Sequence, residues 1–168
     1  NEVYKNLISI INLFPDVSPN DVLNGVEYAP HYSMEHFDST LKSLDYQIED
    51  YKKQLNIPNI DYERKSNIET QISNREYSKK KISEIRDKYL NAREKYKFFG
   101  ESDKVIFELY AGQNVRNCLV EFEVVIHNVF ISGRSVGDAD DPLNNIIKIS
   151  RRRLSDSMRN DIGINRKL

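Results

Sequence analysis

Tryptophan is absent from the 168 residues, cysteine occurs once, and glycine and proline number only six and five. The single cysteine, Cys118, rules out an internal disulfide and leans toward a reducing compartment. So few backbone breakers, together with 30% charged residues, fit a soluble, helix-rich protein with long wet faces. No window approaches the roughly 18 consecutive apolar residues that a membrane-spanning helix requires. Asn1 to Phe14 carries one lysine and no small-residue cleavage site, so it does not read as a signal peptide. The chain opens on Asn1 instead of a methionine, as would a piece cut from a longer protein.

Reaction chemistry is also sparse. His31, His36 and His127 are scattered. Glu123 stands one helical turn before His127, but a metal site needs further ligands that the sequence does not nominate. His127 sits among apolar neighbours and reads as a hydrogen-bonded core histidine. Asp138-Ala139-Asp140-Asp141 lacks the central glycine and late glutamate of a helix-flanked calcium loop. Gly133-Arg134-Ser135-Val136-Gly137 has neither the preceding strand nor the lysine of a phosphate-binding loop. No apolar setting holds paired carboxylates for acid and base work, and Cys118 has no neighbouring base. We therefore expect no enzyme and nominate no cofactor or metal. A hydrolase would need a polar pocket holding His127 or His36 beside carboxylates.

What the chain has in quantity is helical periodicity. Met34, Phe37, Leu41, Leu44, Ile48, Tyr51 and Leu55 keep an unbroken 3–4 alternation, the pattern of a packing seam. Ser33 is placed to cap the start. After Asn56-Ile57-Pro58-Asn59, Asp61 is placed to cap a second helix carrying Ile68, Ile72, Ser78, Ile82, Ile85, Tyr89, Ala92, Tyr96 and Phe99. Two long helices on a short connection lie antiparallel. In the middle, Arg75, Glu76, Lys79, Lys80 and Lys81 leave little apolar surface, predicting a thin seam that could invite self-association. The second helix outruns the first, so its C-terminal third needs another partner.

The remaining segments supply that partner. Val3, Leu7, Ile10, Ile11 and Phe14 share one face of a short helix stopped by Pro15, and Ser18-Pro19 opens a shorter one. Ser102 is placed to cap a third long helix from Asp103 to Ile131, one-sided at Ile106, Leu109 and Tyr110 and apolar nearly all round from Cys118, hence surrounded by protein. Asp141-Pro142 starts a last helix with Leu143, Ile146, Ile147, Ser150, Leu154 and Met158 on one face. The expected fold is all-α. Residues 1–168 form a single domain in which a coiled-coil-like antiparallel hairpin, 33–99, is rooted in a small bundle of 1–14, 103–132 and 142–160.

Net charge is −1, yet the charges are segregated: residues 57–100 carry eleven bases and seven acids, 101–141 three and eight, and 142–168 seven and two. Lys79, Lys80 and Lys81 cross the hairpin, and Arg151, Arg152 and Arg153, with Lys148, Arg159, Arg166 and Lys167, crowd the last helix and tail. These are the candidates for an anionic partner, either nucleic acid or lipid headgroups. Three successive helical residues fan through about 200°, so neither triplet makes one stripe. Aromatic interleaving, which nucleic-acid binding would favour, is missing from both. Faces that pair internally or stay solvated account for them better.

The ending Leu154-Ser155-Asp156-Ser157-Met158-Arg159-Asn160-Asp161-Ile162-Gly163-Ile164 resembles the close of soluble helical domains in uncharacterised bacterial membrane-anchored proteins. That resemblance implies a bacterial origin and a membrane segment upstream of Asn1, with the domain on the cytoplasmic side. It carries over no functional residue. The function expected is a non-catalytic helical interaction or scaffold module. Its hairpin tip, Leu55, Ile57, Pro58 and Ile60, offers apolar groups to a protein partner or to a second copy. Nucleic-acid binding through helices 57–100 and 142–168 is the alternative.

Overall fold

The computed structural model describes residues 2–163. The fold is all-α: α1 (Glu2–Ile11), α2 (Pro19–Leu23), α3 (Phe37–Leu55) entered by a 3₁₀ turn at Met34–His36, α4 (Tyr62–Ser102), α5 (Lys104–Tyr110), α6 (Gln113–Ile126) running into a π turn at His127–Ile131, and α7 (Ile146–Asp161). Among the described residues the only strand-like pairing is one antiparallel bridge, Gly137 with Asn145.

The hairpin is antiparallel, because partners rise along α3 as they fall along α4: Asp45 meets Lys79, and Gln47 meets Arg75. Asp61 caps α4, accepting from the Arg64 amide at 2.8 Å. Asn59 takes the left-handed conformation that closes the tip, with φ 61°. Leu44, Ile48, Ile68, Ile82, Ile85, Tyr89, Ala92 and Phe99 are buried along the predicted stripes. Ser33 is not a side-chain cap. Its hydroxyl bonds His36 Nδ1 at 2.8 Å, and the α-helix proper begins at Phe37.

The seam is not thin in its middle, and the reason is Arg75. Its side chain is 1% exposed, with Nε donating to Gln47 Oε1 at 2.7 Å, Nη1 to Gln71 Oε1 at 2.7 Å, and Nη2 to the Glu27 carbonyl. The guanidinium also lies 4.9 Å from the Tyr51 ring centroid. All these acceptors are neutral. A planar fork of five N–H groups fills a place that an apolar side chain would otherwise take, and it ties the loop before α3 to both hairpin helices.

The overhang of α4 enters the main core. There Phe14 packs edge-on against Phe122 at 5.7 Å, and Tyr89 stacks on Phe130 at 4.8 Å. Leu7, Ile11, Phe99, Leu119, Val129, Ile147 and Leu154 complete it. α1 runs antiparallel to α7, with Tyr4 donating to Asp161 and Arg151 donating to the Phe14 carbonyl at 2.8 Å.

Three predicted boundaries are corrected. α4 continues through Gly100 to Ser102, whose hydroxyl donates back to Phe98 O at 2.9 Å and caps nothing. The single helix expected over 103–131 is broken at Ala111–Gly112, both extended. At the break the Gly112 amide donates to the Asp161 carboxylate at 3.4 Å, and a Cβ at Gly112 would push that carboxylate aside. Nor is α6 buried all round: Val120 and Val124 are exposed. The last helix starts at Ile146, not Pro142, because buried Asn145 caps it by accepting from the amides of Ile147 and Lys148. Leu143 consequently lies in an exposed turn.

Candidate functional site

At the predicted hairpin tip Ile57 and Pro58 are exposed, while Leu55 and Ile60 are half-buried. The tip thus shows two apolar side chains to solvent, a small surface for a partner.

The basic candidates are mostly committed within the molecule. Lys79 is ion-paired with Asp45. Arg151 is half-buried, bonded to Phe14 O and 3.8 Å from Asp16, and burial lowers its pKa while Asp16 opposes that shift. Arg153 pairs with Glu121 at 2.6 Å, and Arg159 lies 3.8 Å from Asp156. Lys148 donates to the Ala139 carbonyl at 3.1 Å. Lys80 and Arg152 remain exposed. Lys81 and Arg151, from the two predicted clusters, do line one surface hollow with Lys88, but Asp16 and Glu84 line it too and offset most of the positive charge. Arg166 and Lys167 lie outside the described residues. This pairing weakens the case for an anionic partner.

One further expectation is overturned by position. His127 is not a core histidine: it is exposed at the start of the π turn. Cys118 is half-buried, packed against the main core. His36 is exposed and bonded to Ser33, and His31 is exposed. Among the described residues no three His, Cys, Asp or Glu side chains gather as metal ligands, and no helix is long and apolar enough to cross a membrane.

A further exposed apolar feature lies where sequence reasoning placed packing. Across the junction of α4 and α5, Phe98 (69% exposed), Val105 (67%), Leu109 (71%) and Tyr110 (75%) stand out in solvent with Ile106 beside them. The spacing of 98, 105 and 109 follows one helical face, with 106 at its edge and 110 at the end of the helix. Hydrogen bonds from Asp103 N to Phe99 O at 2.8 Å and from Phe107 N to Asp103 O at 3.0 Å carry the helical register across the one-residue break. Inward, Phe99 and Phe107 are buried 6.1 Å apart. Glu94, Glu101 and Glu108, seven residues apart, fall along one edge of the stripe; all three are exposed and none is ion-paired among the described residues.

A readable signal existed: Phe98 adjoins Phe99, and Val105-Ile106-Phe107 is a run, so on one helix they cannot all face inward. No protein-family model matches the chain, and neither a curated protein nor a solved structure matches it.

Proposed function

We propose that the chain is a non-catalytic helical interaction module whose docking face is the apolar stripe from Phe98 to Tyr110. One observation carries the reading: Phe98, Val105 and Leu109 are exposed on one face, with Ile106 and Tyr110 exposed beside it, all within thirteen residues. Contiguous exposed apolar patches on an otherwise polar surface mark interaction sites. The occupant that fits is an amphipathic helix of another protein with a basic edge. In antiparallel self-pairing the edge of Glu94, Glu101 and Glu108 would face its own copy, and like charges so placed repel. Ile57 and Pro58 at the tip form a second, smaller contact. An anchor ahead of Asn1, as the C-terminal resemblance implies, would join the domain through α1, which packs on the inward side of the α4–α5 junction: Asn6 donates to Asp103 at 2.8 Å.

A photo-crosslinking residue placed at Leu109, in the cells that make the protein, is expected to capture one discrete partner, while the same residue at Asn74 is not. Loss of that adduct on Val105→Glu would support the stripe as the docking face. Equal capture at both positions, or none at Leu109, would remove it. Light scattering over a concentration series reads self-association directly, and a dimer abolished by Leu109→Glu would make the second copy the occupant instead.

A further inference from the structure

Where α1 and α6 meet α4, a cavity of ≈ 210 Å³ opens to solvent over the packed rings of Phe14, Tyr89 and Phe122, which line it. A ~150 Å³ apolar cavity accepts a benzene ring, so this one has room for a ring or a branched aliphatic chain with a short polar head. Arg93, Glu123 and His127 contribute to the same lining. Arg93 and His127 are exposed, and the side chain of neither makes a hydrogen bond or ion pair among the described residues. Arg93 and Glu123, of opposite charge at one mouth, do not pair with each other.

Two features fix this arrangement. The Tyr96 hydroxyl donates to Glu123 Oε1. Burial, then that bond, pushes the Tyr96 pKa well above its ordinary value, so the hydroxyl stays protonated and pins the carboxylate with its second oxygen uncommitted. The π turn is the other. Ser132 N donates to His127 O at 3.1 Å, five residues back, and the inserted residue lets His127 stay at the rim while Val129 and Phe130 enter the core.

We propose that this cavity binds a free apolar α-amino acid, with the side chain laid against those rings, the carboxylate on Arg93 and His127, and the ammonium on Glu123. A guanidinium fork and a carboxylate held apart at the mouth of an apolar hollow complement a zwitterion with an apolar side chain. A ligand with either charge alone leaves one of the two groups unmatched. The site is separate from the stripe at Phe98–Tyr110 and does not depend on that surface having a partner.

The test is an amide NMR titration of the full chain with L-phenylalanine, 3-phenylpropionate and 2-phenylethylamine. Saturable shifts confined to the amides around Phe14, Tyr89 to Tyr96 and Phe122 to Ile131 are expected for phenylalanine. Each singly charged analogue should bind about tenfold more weakly, the loss of one charge-assisted hydrogen bond. Arg93→Gln, at an exposed position, should bring phenylalanine down to the affinity of phenylethylamine. Glu123→Gln should bring it to that of phenylpropionate. No saturable shift at about 10 mM ligand, roughly the weakest binding such a small site would show, overturns the proposal. So does equal affinity for the amino acid and either analogue, an outcome that needs no variant to fold.

Discussion

Around Phe122 the molecule buries aromatic rings against one another, whereas at the middle of the hairpin it buries the guanidinium of Arg75 among amide oxygens. The two regions are joined by the same helix, α4, and differ in what their contacts demand. Apolar packing is non-directional and tolerates small slides between helices. A fork of N–H groups with fixed acceptors is met in one alignment of α3 on α4 and in no neighbouring one. The root of the molecule therefore supplies the larger share of stability, and the arm supplies register. Each can be broken without breaking the other, and the expected sizes differ.

Phe122→Ala should have the largest effect, about 3–5 kcal/mol, because it removes a ring at the centre of the aromatic cluster and leaves a cavity. Thermal or urea unfolding would show the loss, and hydrogen exchange should show amides of α6 and the overhang of α4 losing protection together. Arg75→Met should cost about 2–4 kcal/mol, since the oxygens of Gln47, Gln71 and Glu27 lose their donor. In exchange, that loss should be confined to α3 and to α4 before Ile82, leaving the root protected. A global loss of protection in this variant, or a neutral substitution, would erase the distinction between the regions.

Tyr96→Phe sharpens the comparison through pH. Burial, and after it the bond to Glu123, raises the Tyr96 pKa above its ordinary value of 10.0, so the folded state holds a proton that the unfolded chain releases. The stabilisation is fully present below pH 10 and is lost as the pH rises past it toward the raised value. The wild-type melting temperature should fall above pH 10, and Tyr96→Phe, about 1 kcal/mol less stable at neutral pH, should flatten that fall. Lys79→Ala, which removes a part-exposed ion pair on the arm, should cost at most about 1 kcal/mol and less still in high salt.

The hairpin was legible because burial there follows spacing: Leu44 and Ile48 on α3, and Ile82, Ile85, Tyr89 and Ala92 on α4, lie where a 3–4 pattern puts them. Arg75 was not legible, since a charged residue between Asn74 and Glu76 reads as solvated until the neutral acceptors around it are seen. The break at Gly112 was hidden by apolar periodicity on both sides of it, and the carboxylate that receives its amide, Asp161, is 49 residues away in sequence. The start of α7 was read from Pro142, although the capping capacity lay in Asn145, whose amide also ties it to Asp16 O at 2.8 Å. Of the candidate site, the apolar residues of α5 were visible but their direction was not: one-sidedness marks a contact face without saying whether the chain itself supplies the other half. The cavity rim was less visible still, because only the fold brings Glu123 of α6 to Arg93 and Tyr96 of α4.

α4 spans 41 residues, about 60 Å at ~1.5 Å per residue, and passes from the hairpin cluster at Ile82 to the main core at Ile85 within a single turn. No hinge separates the two, so the rod behaves as a stiff lever. A pull or twist delivered at Pro58 would travel along it and be felt as torque at Phe98, beside the stripe, and at Arg93, on the lip of the cavity.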